Sequence, residues 1–291
     1  MENLRGILLM VAAMAGFAIE DMFVKRVADS LPVGEILMVL GAGGAVIFGA
    51  LARLRGQRLL TPVLFTRPVM LRNLGEIVAT AGFVTAISKT PLSSASAIIQ
   101  ATPLAVTLGA ALFMGAQVGW RRWSAIGVGF AGVLLVVRPG LEGFQPASLF
   151  AVQAVVGLAL RDLATRATPR NVGSLQLAAY AFALLVPLGA VMLALGPGPV
   201  PIGGADALRL AGALVMGTAG YYAIVEAMRM GEVAVVTPFR YSRLVFAILI
   251  GMAVFAERPD AATLTGAALI IASGLYTLTR ERALSMRRAR R

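Results

Sequence analysis

The sequence predicts an all-α integral membrane protein in which ten transmembrane helices form two inverted five-helix repeats around a central cavity. Three observations predict it. Of 291 residues, 58% are hydrophobic and 14% charged, with a mean hydropathy of +0.84, whereas a soluble domain carries about 25% charge. The apolar residues fall into runs long enough to cross ~30 Å of hydrocarbon as helices. The chain also repeats itself with a shift of about 140 residues.

The runs lie at roughly 6–24, 33–52, 69–88, 93–114, 122–138, 146–165, 173–195, 206–228, 233–254 and 260–279. The first follows Arg5 without a small-residue cleavage site, so it reads as a span and not a removable leader. The third opens on Arg72 and Glu76, and the sixth closes on Arg161-Asp162. The longest connections, Arg53 to Pro68 and Gly196 to Ala205, are too short for a soluble domain.

With ten spans both termini share one side. Placing them in the cytoplasm puts eighteen lysines and arginines inside, including Arg72, Arg161, Arg170, Arg229, Arg290 and Arg291, against six outside. The expected placement is the inner membrane with both termini cytoplasmic. The net charge of +12 then reports orientation and not nucleic-acid binding.

In the repeat, Thr80-Ala81-Gly82-Phe83 matches Thr218-Ala219-Gly220-Tyr221, Lys89 to Pro91 falls on Arg229 to Gly231, and Gln117 falls on Glu257. The halves are residues 1–141 and 142–280, followed by a basic cytoplasmic tail, 281–291. Five spans is an odd number, so the second half is inserted upside down, the arrangement from which alternating access is built. At the same shift Arg240 aligns with Gln100 and Arg243 with Pro103, which makes the midplane electrically asymmetric.

Arg240 and Arg243 share one helical face inside the ninth run. An arginine near the bilayer centre costs from about 3 to more than 10 kcal/mol unless it faces a partner or water. Two readings stand: a clamp for a substrate carboxylate, or ion pairs with Glu20, Asp21, Glu76 or Glu226. Glu20 and Asp21 point about 100° apart. Glu20 is the candidate for the cavity, as a proton-coupling carboxylate, and Asp21 is expected to pair with Lys25 at i+4. Glu76, sharing a face with Asn73, is expected to pair with Arg72 or a neighbouring helix, and Glu226 with Arg229.

Tyr221, Tyr222 and Tyr241 offer π faces and hydroxyls to a planar substrate, or make ordinary interhelical hydrogen bonds. Trp120 and Trp123 read as an interface anchor. Glycine clusters such as Gly41, Gly43, Gly44 and Gly49 serve close helix packing, in a monomer or weak dimer. Pro103, Pro187 and Pro238 lie within spans, where they free carbonyls and create hinges.

Gly16 to Lys25, Ala86 to Lys89 with Pro91, Pro103, and Phe255-Ala256-Glu257-Arg258 ahead of Gly266 together resemble the ten-helix EamA branch of the drug/metabolite transporter superfamily. The string Pro238 to Arg243 is similar to a subgroup labelled metabolite, amino-acid or S-adenosylmethionine transporters. The chain departs from many relatives at Leu40-Gly41, where they carry an arginine, and at Ala116-Gln117. The resemblance implies a basket-like bundle around a central cavity and gradient-driven or facilitated export of neutral or aromatic amino acids or other small metabolites. Arg240, Arg243, Tyr241, Tyr221, Tyr222, Glu20, Glu76 and Gln100 are the expected cavity residues.

An S-adenosylmethionine or other cationic-metabolite transporter is the alternative, with Glu20 and Glu76 binding the cation. An intramembrane enzyme is the remote one: without His or Cys the chain has no imidazole base and no thiol nucleophile or thiolate metal site. Cofactors, metals and nucleic acid are not expected. The expected partners are a small-molecule substrate, membrane lipid and a coupling proton.

Overall fold

The apolar runs become helices, and the described residues contain no strand. The computed structural model describes residues 2–116, 118–169, 172–230 and 232–289. Gln117 with its match to Glu257, the Gly231 match, and Arg170, Arg290 and Arg291 of the charge count lie outside the described residues. So do the side chains of Arg229, with the expected Glu226–Arg229 pair, and of the tail from residue 281.

The helices are α1 (Glu2–Val27), α2 (Val33–Leu54), α3 (Arg67–Lys89), α4 (Leu92–Ile99), α5 (Thr102–Phe113), α6 (Trp120–Val137), α7 (Ser148–Arg166), α8 (Ser174–Ala194), α9 (Gly204–Met230), α10 (Val233–Val236), α11 (Ser242–Phe255) and α12 (Ala261–Ala289). Short 3₁₀ turns occupy Pro62–Phe65 and Thr237–Tyr241. Among the described residues nine segments are long and apolar enough to cross a membrane. α3 is as long, but it opens with Arg67, Arg72, Asn73 and Glu76. Large apolar side chains such as Val46, Leu112 and Leu208 are exposed, which suits contact with lipid. This is a multi-pass membrane protein.

Two spans that read as continuous in the sequence are broken. The fourth divides into α4 and α5 at Gln100-Ala101, and the ninth divides into α10, a 3₁₀ turn and α11. Proline causes both breaks, because it lacks an N–H and clashes with the preceding turn. Pro103 opens α5, where the Thr102 hydroxyl donates to the Ile99 carbonyl (2.6 Å) that the proline leaves unserved. Pro238 opens the 3₁₀ turn, and Ser242 Oγ donates to the Phe239 carbonyl (2.7 Å).

Helix pairing follows the repeat. α1 packs on α9, α3 on α7, α2 on α8 and α6 on α12, while α4 lies against α11. Numbered as spans these pairs are one with eight, three with six, two with seven, five with ten and four with nine. A shift of five spans maps the set onto itself. Glycine permits the closest approaches: a Cβ on Gly34 would stand 2.7 Å from the Gly189 carbonyl oxygen, and one on Gly132 2.7 Å from that of Gly266. Gly41 likewise faces α8, with the Phe182 carbonyl oxygen 2.9 Å from its Cβ position.

Arg72 and Arg161 lie within α3 and α7 and not in connections, and Arg72 is buried. Without these two the charge asymmetry is sixteen to six.

Candidate functional site

The break in the ninth span sets the geometry of the interior. The 3₁₀ turn carries Arg240, and the first turn of α11 carries Arg243. Arg243 reaches α1, where Asp21 accepts from its guanidinium at 2.8, 2.9 and 3.2 Å in a forked pair. The rings of Phe17 and Phe83 lie 5.4 and 5.3 Å from the guanidinium carbon, so the cation is also held between two π faces. This overturns the expected Asp21–Lys25 pair: Lys25 turns toward the end of the bundle away from the chain termini.

Arg240 differs. It is surrounded by protein yet keeps exposed surface. Asp162, Arg161, Arg243 and Tyr241 are its charged and polar neighbours, but its guanidinium has no ion pair within 4 Å and no hydrogen bond among the described residues. Its main-chain carbonyl accepts from Gln100 Nε2 at 3.3 Å. Those two residues are 140 apart, the repeat shift itself, so the two broken helices meet at equivalent points.

Glu20 lies beside this pairing on α1. Its carboxyl feels Asp21 and Arg243 but makes no hydrogen bond or ion pair among the described residues. It rests on α9 where Gly217 leaves room, since a Cβ there would stand 2.6 Å from the Glu20 carboxyl. Further buried charges form a chain between α3 and α7. Glu76 stands 3.7 Å from Arg72 and 3.5 Å from Arg161, and Arg161 also pairs with Asp162 at 2.8 Å. Arg72 donates to Asn73 (3.1 Å) and to the Leu177 carbonyl (3.0 Å). Glu76 thus has both expected kinds of partner, Arg72 on its own helix and Arg161 on the neighbouring α7.

The tyrosines separate. Tyr241 is buried with its hydroxyl wedged against Gly274 of α12 and without a hydrogen-bond partner among the described residues. Tyr221 donates to the Ser174 carbonyl at 3.1 Å, sits edge-on to Phe48 and lies within electrostatic range of Arg72, Glu76 and Arg161. With the half-exposed Tyr222 it lines a recess of about 210 Å³ that also holds Arg55, Gln57 and Glu226. The eight expected residues therefore fall into three groups: Arg240, Arg243, Gln100 and Glu20 at the break; Glu76 and Tyr221 beside it; Tyr222 and Tyr241 turned elsewhere.

Sequence comparison finds the EamA-like transporter family matching twice, over residues 4–138 and 145–279. The chain belongs to the EamA-like transporter family. It is 30% identical over 225 residues to a riboflavin transporter of Rhizobium johnstonii, covering 76% of this chain and 72% of that one. It is 26% identical to an S-adenosylmethionine uptake transporter of Rickettsia bellii, covering 67% of each chain. A pseudopaline exporter, CntI, of Pseudomonas aeruginosa is 30% identical over 281 residues, covering 91% and 93%. A solved crystal structure shares the fold over 96% of this chain and 98% of its own, at a TM-score of 0.61 and 19% identity. These relatives are transporters of small metabolites and not enzymes.

In this EamA-like transporter the Phe255 to Arg258 string has a physical task that the sequence did not disclose. Glu257 accepts from the backbone N–H of Leu92 (2.5 Å) and Ser93 (3.0 Å) and from Ser93 Oγ (2.7 Å), capping α4 from 165 residues away. Ala256 turns into the left-handed region at φ 52° to allow it, and the Glu257 N–H bonds back to the Gly251 carbonyl at 2.9 Å. Lys25 stands 3.8 Å from Glu257 and donates to the Ile87 (2.9 Å) and Thr90 (2.6 Å) carbonyls. Arg26 donates to the Val254 carbonyl at 2.6 Å. The ends of α1, α3, α4 and α11 are thereby tied together at the end away from the termini.

Proposed function

We propose that the protein is a secondary transporter that exports amino acids, neutral or aromatic, or closely related small metabolites across the inner membrane by alternating access. The two halves, 1–141 and 142–280, act as inverted repeats with both termini cytoplasmic. The observation that carries this reading is Arg240: a guanidinium with exposed surface and, among the described residues, no ion-pair partner, at the point where two half-helices break. In a medium that penalises unpaired charge by several kcal/mol, such a cation is an expected site for an anionic group of the substrate. The N-terminus of α11 adds its positive dipole end there, and a carboxylate matches guanidinium geometry bidentately. Arg243 serves structure, because Asp21 neutralises it.

The tie around Glu257 closes the end away from the termini, which supports loading from the cytoplasmic side. Phe17 and Phe83 beside Arg243 supply apolar surface for a substrate side chain. S-adenosylmethionine or another cationic metabolite is the second reading, favoured by the unpartnered Glu20 and by the substrate of the Rickettsia bellii relative.

Thermal shift of the purified protein against amino acids tests the reading. Wild type is stabilised by carboxylate-bearing ligands, and Arg240→Gln loses that stabilisation while unfolding at the wild-type temperature without ligand. Equal stabilisation of both proteins contradicts the carboxylate site.

A further inference from the structure

Around the two breaks, among the described residues, stand four cations, Arg72, Arg161, Arg240 and Arg243, and four acids, Glu20, Asp21, Glu76 and Asp162. Pairing them by distance uses up all but two. Asp21 takes Arg243, Asp162 and Glu76 take Arg161, and Glu76 also takes Arg72. One cation, Arg240, and one acid, Glu20, remain without a partner among the described residues. They stand on elements that touch, α1 and the 3₁₀ turn, and both lie within electrostatic range of Arg243. Gly217 is what makes room for the Glu20 carboxyl, because any side chain there would meet it.

We propose that Glu20 is the ammonium subsite of a zwitterion site, so that the substrate carries both a carboxylate for Arg240 and a cationic amine for Glu20. This rests on the carboxylate site proposed above and narrows its ligand. A zwitterion satisfies both leftover charges in one binding event, whereas a simple carboxylic acid leaves Glu20 unserved and a neutral ring system serves neither. The chemistry covers α-amino acids and S-adenosylmethionine alike and excludes riboflavin, which has no ammonium and no carboxylate.

The test is equilibrium binding to the purified full chain, without any gradient, using L-phenylalanine, 3-phenylpropanoate (no amine), 2-phenylethylamine (no carboxylate), S-adenosylmethionine and riboflavin. A zwitterion, phenylalanine or S-adenosylmethionine, is expected to bind wild type. For phenylalanine the preference over either truncated analogue should be about tenfold or more, the worth of a charge-assisted contact. Glu20→Gln collapses the preference over 3-phenylpropanoate to within twofold and keeps that over phenylethylamine. Arg240→Gln does the reverse. A Glu20 that serves only a coupling proton leaves the selectivity of Glu20→Gln at the wild-type ratio, and that result overturns the proposal. Equal binding of phenylalanine and 3-phenylpropanoate by wild type overturns the zwitterion site and leaves the carboxylate reading standing. Binding of riboflavin, with neither zwitterion binding, overturns both.

Discussion

Replacing Glu257 with alanine should release the end of the bundle away from the termini. The carboxylate takes two backbone N–H groups and a hydroxyl at the start of α4. An N-cap is worth about 0.5–2 kcal/mol and a charge at a helix N-terminus up to ~2 kcal/mol, so the loss is about 2–4 kcal/mol. Lys25 keeps its bonds to the Ile87 and Thr90 carbonyls, which places the effect at the lower end. Two kcal/mol is roughly 30-fold in the ratio of tied to released states. The chain contains no cysteine, so Ser96→Cys on α4, at a site 1% exposed, provides a single reporter thiol. Maleimide labelling of that thiol should accelerate about 30-fold in Glu257→Ala. A second reporter at Ala178→Cys, near the opposite end of the bundle and 2% exposed, should stay protected. Unchanged labelling at position 96 refutes the tie, and equal acceleration at both positions shows general unfolding in its place.

Arg243→Ala leaves Asp21 buried without its partner and should lower stability by about 3–5 kcal/mol; Asp21→Asn added to Arg243→Gln should recover part of it, measured by thermal denaturation in detergent. Tyr241→Phe removes a buried hydroxyl that has no hydrogen-bond partner among the described residues and should stabilise by about 1 kcal/mol without changing ligand affinity; a fall in affinity would return Tyr241 to the binding site. Asp260 caps α12 through the Thr263 N–H (2.9 Å) and pairs with Arg138, and these contacts hold its carboxyl down to about 2 from 3.8. The stabilisation is therefore present above pH 3.8 and lost as pH falls through 2, so the gap in melting temperature between wild type and Asp260→Asn at pH 6 should shrink to about a third by pH 2.5 and close only below pH 2.

The spans were legible because hydropathy and length decide them in a bilayer, and the repeat was legible because Thr80 to Phe83 recurs at Thr218 to Tyr221. The register even brought together Gln100 and Arg240, which prove to be hydrogen-bonded. The breaks were not read. Ile99-Gln100-Ala101-Thr102 is apolar enough to continue a helix, and Pro103 alone does not say whether a span kinks or divides. The choice of partners was also hidden, because a helix position says which side a charge faces only after its neighbours are placed. Lys25 had Asp21 one turn away, yet it joins Glu257, 232 residues on. Arg161 was counted as a loop charge, although the adjoining Gly157 and the opposing Gly75 marked a close contact that draws it against Glu76.

The role proposed for Arg240 is to bind the substrate carboxylate. Counterflow of a labelled amino acid in proteoliposomes tests it most directly, with wild type, Arg240→Lys and Arg240→Gln reconstituted to equal density. With Arg240 as the carboxylate site, wild type shows saturable exchange, Arg240→Lys a residual signal at raised substrate concentration, and Arg240→Gln none. Wild-type exchange by Arg240→Gln contradicts it.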